Sequence, residues 1–247
     1  MFSISCTGLT KQFRVQTPIR DFSFVFKAGQ ITSIVGESGC GKTTLLRLIA
    51  GLERPDAGVI SYVDETGHPV SRRPVISTVF QEPRLFPWLN ARENIALAVR
   101  DKSPAERQRL VDETLRTVGL VSAADKYPHE LSGGMAQRVG MARALCRKPD
   151  ILLLDEAFSA LDALTREKLR AEFVAIASSR PITTILVTHD VPEAVLLSQT
   201  ICKLSNGSVN RIWSVAAPYP RTIGLPGLAE LADEILKSFF ELNSQNP

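Results

Sequence analysis

The chain has 247 residues, of which 44% are hydrophobic, 22% charged and 6% aromatic, with a formal net charge of +3. That is the make-up of a globular protein with room for one large core or two small ones. No apolar run approaches the ~18 residues needed to cross a bilayer, and so slight a charge gives no reason to expect a nucleic-acid partner.

The first residues, Met1-Phe2-Ser3-Ile4-Ser5-Cys6, lack the basic start and apolar stretch of a secretory signal, which points to the cytosol. Phe22, Phe24 and Phe26 recur at period two and read as one face of a strand. A compact apolar strand follows at Ile31–Val35. A Gly-rich turn then opens a helix from Lys42 to about Ala50, stopped by Gly51 and Pro55. Further strands are expected at Val59–Val63, Ile76–Phe80, Ile151–Leu154, Thr184–Val187 and Ile201–Leu204. Between Gln81 and Cys146 the pattern turns helical, over Asn90–Arg100, Pro104–Val118 and Gly134–Cys146. After Asn206 it weakens, with a last amphipathic helix expected over Leu228–Leu242 and a frayed tail over Asn243–Pro247. The alternation of strands and helices predicts an α/β fold with a mainly parallel sheet. Cys6, Cys40, Cys146 and Cys202 show no CxxC spacing, so neither a zinc site nor a disulfide frame is expected.

Gly36-Glu37-Ser38-Gly39-Cys40-Gly41-Lys42-Thr43-Thr44 fits the phosphate-binding pattern GxxxxGK[ST], placed between an apolar strand and a helix as its mechanism requires. Glycines let successive N–H groups face one anion, and the helix start adds a positive dipole end. Lys42 would reach the β- and γ-phosphates, and the Thr43 hydroxyl would ligate Mg²⁺. At this helix N-terminus Cys40 is expected to favour its thiolate. A second element, Ile151-Leu152-Leu153-Leu154-Asp155-Glu156, is a buried strand ending in carboxylates. Asp155 would hold Mg²⁺, and Glu156 would polarise an attacking water as general base. These two elements point to an NTPase, without separating it from kinases and many other nucleotide enzymes. A third is Leu131-Ser132-Gly133-Gly134-Met135-Ala136-Gln137-Arg138, where small residues at a helix start make another anion site that Ser132 can cap. One chain has no use for two such starts around one nucleotide, whereas a second copy does.

This third element resembles the LSGGQ signature of the ABC ATPase family, with Met135 in place of the Gln. The resemblance covers nearly the whole chain. It implies a P-loop NTPase (RecA-like) core with an N-terminal antiparallel β part and an inserted helical subdomain. Within a single ABC ATPase domain over 1–247, the core would span 1–80 and 147–205, the helical subdomain 81–146, and a C-terminal extension 206–247. It also implies that Phe13 stacks on adenine, unless it is core packing. Gln81 would meet Mg²⁺ and the attacking water, Asp162 would signal across a dimer, and His189 would contact the γ-phosphate and position Glu156. His68 and His129 are read as ordinary surface residues. Two copies would close on ATP head to tail, with Ser132, Gly133 and Gly134 of one facing the nucleotide of the other.

Phe80-Gln81-Glu82-Pro83-Arg84-Leu85-Phe86-Pro87-Trp88 resembles the importer group for nitrate, sulfonates, taurine and similar small solutes. Trp88 reads either as part of a tip that docks a permease or as a core residue. The expected partners are a second copy, a permease on separate chains and, indirectly, an external solute-binding protein. The expected place is the cytoplasmic face of the bacterial inner membrane. Two readings compete: an ABC ATPase of DNA repair or translation, and a P-loop kinase. The first lacks its zinc CxxC pairs, long coiled coils or doubled ATPase units here, and the second leaves Leu131–Arg138 and His189 unused.

Overall fold

The computed structural model describes residues 1–64, 67–70 and 72–241; Leu242 and the expected tail from Asn243 lie outside the described residues. In chain order the elements are β1 (Ser3–Phe13), β2 (Gln16–Phe26), β3 (Ile31–Val35), α1 (Lys42–Ile49), β4 (Ala57–Val63), β5 (Ile76–Phe80), α2 (Ala91–Ala96), α3 (Pro104–Thr117), α4 (Gly133–Cys146), β6 (Ile151–Asp155), α5 (Ala163–Ser179), β7 (Thr183–Val187), α6 (Val191–Leu197), β8 (Thr200–Ser205), β9 (Ser208–Ser214) and α7 (Leu228–Glu241). Packing divides the chain into two compact units, residues 1–73 with 182–247, and residues 74–181.

In the first unit, β2, β1 and β4 form an antiparallel sheet in that order. Separately, β3 lies between β7 and β8, parallel to both, and β9 adds to β8 in the antiparallel sense. All five residues of β3 are buried, as a central parallel strand covered on both faces demands. Helices α6 and α7 share a core with Val35, Ile201 and Trp213. The amphipathic reading of α7 holds: Leu228, Ala232 and Ile235 are buried on one face. Full burial of such a Leu or Ile contributes about 1.5–3 kcal/mol. Lys203, itself buried, donates to the Ser238 carbonyl at 2.6 Å, and Trp213 Nε1 donates to Glu234 at 2.9 Å, fixing the helix on the sheet.

Strands β1 and β9 were not anticipated. In β1 the buried residues Ile4, Cys6 and Leu9 lose their period at Gly8, where the pairing register with β2 shifts, so alternation fails as a signal. β9 is an edge strand with Trp213 alone fully buried. Its hairpin had a legible sign in Asn206-Gly207, both at positive φ (51° and 83°), the pair that two-residue hairpin turns prefer.

In the second unit, β5 and β6 pair in parallel, from Ile76 opposite Ile151 to Phe80 opposite Asp155. Helices α2, α3 and α4 enclose a core containing Ile95, Val99, Leu110, Val111, Leu115, Val139 and Ala142. The helix expected over Asn90–Arg100 is shorter. Asn90 caps α2 in a reciprocal box with Glu93, and after Ala96 the chain tightens into a 3₁₀ turn over Leu97–Val99. Helix α5 escaped the sequence reading because only Leu169, Arg170 and Phe173 of its 17 residues are buried. Among the described residues no helix is long and apolar enough to cross a membrane.

Candidate functional site

The loop Gly36–Gly41 leaves the C-terminal end of β3 and runs into α1. Gly41 occupies the N-cap of α1 at φ 109°, with no side chain capping the helix. Any Cβ there would lie 2.1 Å from the Pro18 carbonyl oxygen, so conformation and space both demand glycine. Lys42, 7% exposed, folds back over the loop and donates to the carbonyls of Gly36 and Glu37, each at 2.8 Å. Its charge is met by backbone dipoles. Around it Glu37, Ser38, Gly39 and Thr43 are exposed, and nothing lies within 4 Å of where a Gly39 Cβ would stand. Uncapped helix N–H groups, an open loop and a lysine ammonium together fit a polyphosphate. His189 emerges at the same end of this sheet. Ile34 pairs with Val187, the Thr188 N–H donates to the Ile34 carbonyl, and His189 is exposed.

In the second unit, the pairing of Phe80 with Asp155 sends Gln81 and Glu156 from the same end of their two strands. Glu156 has φ 49°, a left-handed backbone that costs a non-glycine residue about 1–3 kcal/mol and often marks a functional turn. Its carbonyl accepts from both the N–H and the Oγ of Ser159, at 3.1 and 2.8 Å. Arg166 donates to the Leu161 carbonyl at 2.8 Å and holds the following loop. Asp162 then caps α5, accepting from the Thr165 N–H at 3.0 Å. The nearby Thr165 hydroxyl, and then this N–H, hold the Asp162 carboxyl below its ordinary range.

Helix α4 starts at Ser132, whose Oγ accepts from the Met135 N–H at 3.3 Å. Two residues past Met135 lies a side chain to which the sequence reading gave no role. Gln137 is 2% exposed and donates from Nε2 to the Phe80 carbonyl at 3.0 Å and to the Ala157 carbonyl at 2.7 Å. One amide thus ties α4 to the chain just before Gln81 and just after Glu156. Asn94 is a second such residue. It is fully buried, accepts from the Phe86 N–H, and donates to the carbonyls of Phe86, Leu89 and Asn90. These bonds hold a tip on which Phe86 and Trp88 are 41% and 68% exposed, their rings 5.3 Å apart. Trp88 is therefore not a core residue.

Phe13, at the end of β1, is 41% exposed, so core packing does not explain it. Lys11 Nζ stands 5.1 Å from its ring. A cleft of about 540 Å³ opens beside the loop, lined by Val15, Gln16, Arg20, Cys40 and Asn206 among others, without Phe13. The thiolate expectation for Cys40 is corrected: desolvation by burial pushes the thiol up, outweighing the neighbouring Lys42 ammonium and the backbone hydrogen bonds that favour the anion.

The family model described as ABC transporter matches residues 19–159, from within β2 to the turn after Glu156. The chain belongs to the ABC transporter family. It is 46% identical over 210 residues to the nitrate import ATP-binding protein NrtC of Synechococcus elongatus, covering 82% of this chain and 32% of that one. To the aliphatic sulfonates import ATP-binding protein SsuB of Bacillus licheniformis it is 42% identical over 225 residues, covering 90% and 86%. The chain spans about a third of the length of the nitrate and bicarbonate relatives it matches. Among solved structures, a dimeric post-hydrolysis state of the ATP-binding cassette MJ0796 bound to ADP and Pi superposes with a TM-score of 0.75 at 31% identity, covering 87% of this chain and 100% of that one.

Proposed function

We propose that the chain is the ATP-hydrolysing subunit of an ABC importer, working as two copies beneath a separate membrane permease. The observation that carries this reading is the pairing, in one chain, of a Lys42-closed phosphate loop with a second helix start, exposed at Ser132 and Gly133. The names of its relatives add a direction and a class of solute. They are named for nitrate import, bicarbonate transport and aliphatic sulfonates import, so a small oxyanion is the proposed cargo, delivered by an external binding protein. The protein would sit on the cytoplasmic face of the cell membrane.

Phosphoryl transfer to water asks for positioning and charge stabilisation more than covalent help. Lys42 leaves its two carbonyls for the β- and γ-phosphates, while the N–H groups from Gly39 to Thr44 cradle them. Phe13 stacks on the adenine. Thr43, Gln81 and Asp155 offer the oxygen donors that suit Mg²⁺, which supplies charge neutralisation on the phosphates when bound. Glu156 orients the attacking water and accepts its proton, and His189 holds the γ-phosphate side of that arrangement. Ser132, Gly133 and Gly134 of the second copy complete the grip, and Asp162 faces across the pair. Because the site is complete only when two copies close, ATP binding is tied to movement. The Phe86–Trp88 tip, with its two exposed rings, is the proposed permease contact.

The test is a Glu156→Gln variant, which should keep ATP binding but slow turnover at least about a hundredfold, the scale of a lost general base. Pulled down with ATP from detergent-solubilised native membranes, it should bring a multi-span permease with it. Recovery of soluble DNA-repair or ribosomal proteins alone would leave the ATPase chemistry standing and remove transport.

A further inference from the structure

Helix α4 grips the chain that leaves β5 through three residues, each three positions on from the last and so on one side of the helix. Gln137 donates to the Phe80 carbonyl at 3.0 Å. Gly140 lies against Pro83: a Cβ there would stand 3.3 Å from the Pro83 Cβ and 3.4 Å from its Cα, tighter than ordinary contact. Arg143 donates from Nη2 to the Pro83 carbonyl at 2.7 Å and from Nη1 to the Arg84 carbonyl at 3.0 Å. Arg84 has φ 47°, a left-handed backbone that persists in a non-glycine residue only where the surroundings hold it. Its own guanidinium stands 4.2 Å from the Phe80 ring. Between these holds, Gln81 and Glu82 are exposed. A planar guanidinium suits the task, since two of its N–H groups meet consecutive carbonyls in a fixed fork that a single ammonium cannot reproduce.

We propose that Arg143 is a positioning residue for Gln81. It pins the chain after Gln81 as Gln137 pins the chain before it, so the setting of Gln81 follows α4 on both sides. The part this plays in turnover rests on the proposed role of Gln81 in meeting Mg²⁺ and the attacking water. The same fork fixes where the Phe86–Trp88 tip begins, two residues past Arg84. A push on that tip reaches Gln81 only through a segment already fastened to α4, the helix that starts at Ser132–Gly134.

Arg143→Met on the full chain tests it, because methionine keeps an apolar stem and removes both donors. The first readout needs no nucleotide. Limited trypsin digestion is followed by mass spectrometry, comparing the cut between Arg84 and Leu85 with that between Arg14 and Val15, both exposed and in the other unit. R143M should raise the Arg84 cut about tenfold and leave the Arg14 cut unchanged, since proteolysis follows the population of locally opened chain. The second readout is steady-state turnover. Here kcat should fall about tenfold with the KM for ATP within about twofold, the mark of a group misplaced for reaction rather than for binding. Arg143→Lys keeps the charge without the fork and should fall between wild type and R143M in both. An Arg84 cut that rises no more than the Arg14 cut overturns the proposal, as does an unchanged kcat or a KM that worsens in step with it. Should R143M fail to fold, R143K carries both readouts, and wild-type values in it overturn the proposal. A wild-type chain without ATP turnover would refute the proposed activity, while the Arg84 cut still decides whether Arg143 holds the segment.

Discussion

Helix α1 begins on a left-handed Gly41 with no side-chain cap and a lysine folded over its own loop, whereas α4 begins on Ser132, whose hydroxyl caps the Met135 N–H. Both are glycine-rich helix starts, and both leave amide groups facing out. The first depends on walls from elsewhere, since Gly41 is pressed against the Pro18 carbonyl, and Lys42 folds its charge over the loop. The second is held from behind, through Gln137, and its front at Gly133 is open. The difference suits a start that keeps its own nucleotide and one that must meet a nucleotide from outside. Each can be broken separately.

The largest effect should come from Lys42→Met, which removes the one cation of the loop. Turnover should fall about a hundredfold to a thousandfold, the scale of losing a preorganised charge, with binding of a fluorescent ATP analogue lost alongside. A variant with normal binding would mean that the backbone alone holds the phosphates. Next comes Gln137→Leu, which leaves the Phe80 and Ala157 carbonyls without their donor. Urea unfolding should show a loss of about 1–3 kcal/mol, and turnover should fall more than ATP binding does. Equal losses in both would make Gln137 a purely structural tie.

A smaller change is expected from Ser132→Ala. The lost cap costs about 1 kcal/mol. ATP binding by the single subunit should be intact, and ATP-driven pairing of the Glu156→Gln protein, read by gel filtration, should weaken. A fall in single-subunit binding would erase the contrast between the two helix starts. The smallest is kinetic. Because burial raises the Cys40 thiol, less thiolate is present at neutral pH than for a free thiol. Alkylation should start slow and climb about tenfold per pH unit through and beyond the ordinary thiol range. Saturating ATP should slow it further. Labelling at pH 7 as fast as a free thiol would contradict the burial.

Much of the framework is legible without coordinates. The runs Ile31–Val35, Ile76–Phe80 and Ile151–Leu154 are continuous apolar stretches, and each is a strand within one residue of its expected ends. Continuous burial writes itself into composition. β1 was hidden by its break at Gly8, and α5 by a face with few buried residues, since neither presents a clean period. The amphipathic signal of Leu228–Leu242 did find α7, because a helix lying on a sheet must be apolar on one side.

Local order along the chain determined the family, the order of chemistry-bearing residues and the expectation of two phosphate-facing helix starts, because each depends on residue types a few positions apart. Only the tertiary structure decided that Gln137 spans two strand ends, that Asn94 holds up an exposed Trp88, that Gly140 lies against Pro83, and that the Cys40 thiol is raised rather than lowered. Each of these turns on desolvation, hydrogen-bond partners or close approach by residues from about 4 to 57 positions away in the chain, and such neighbours exist only once the chain has packed.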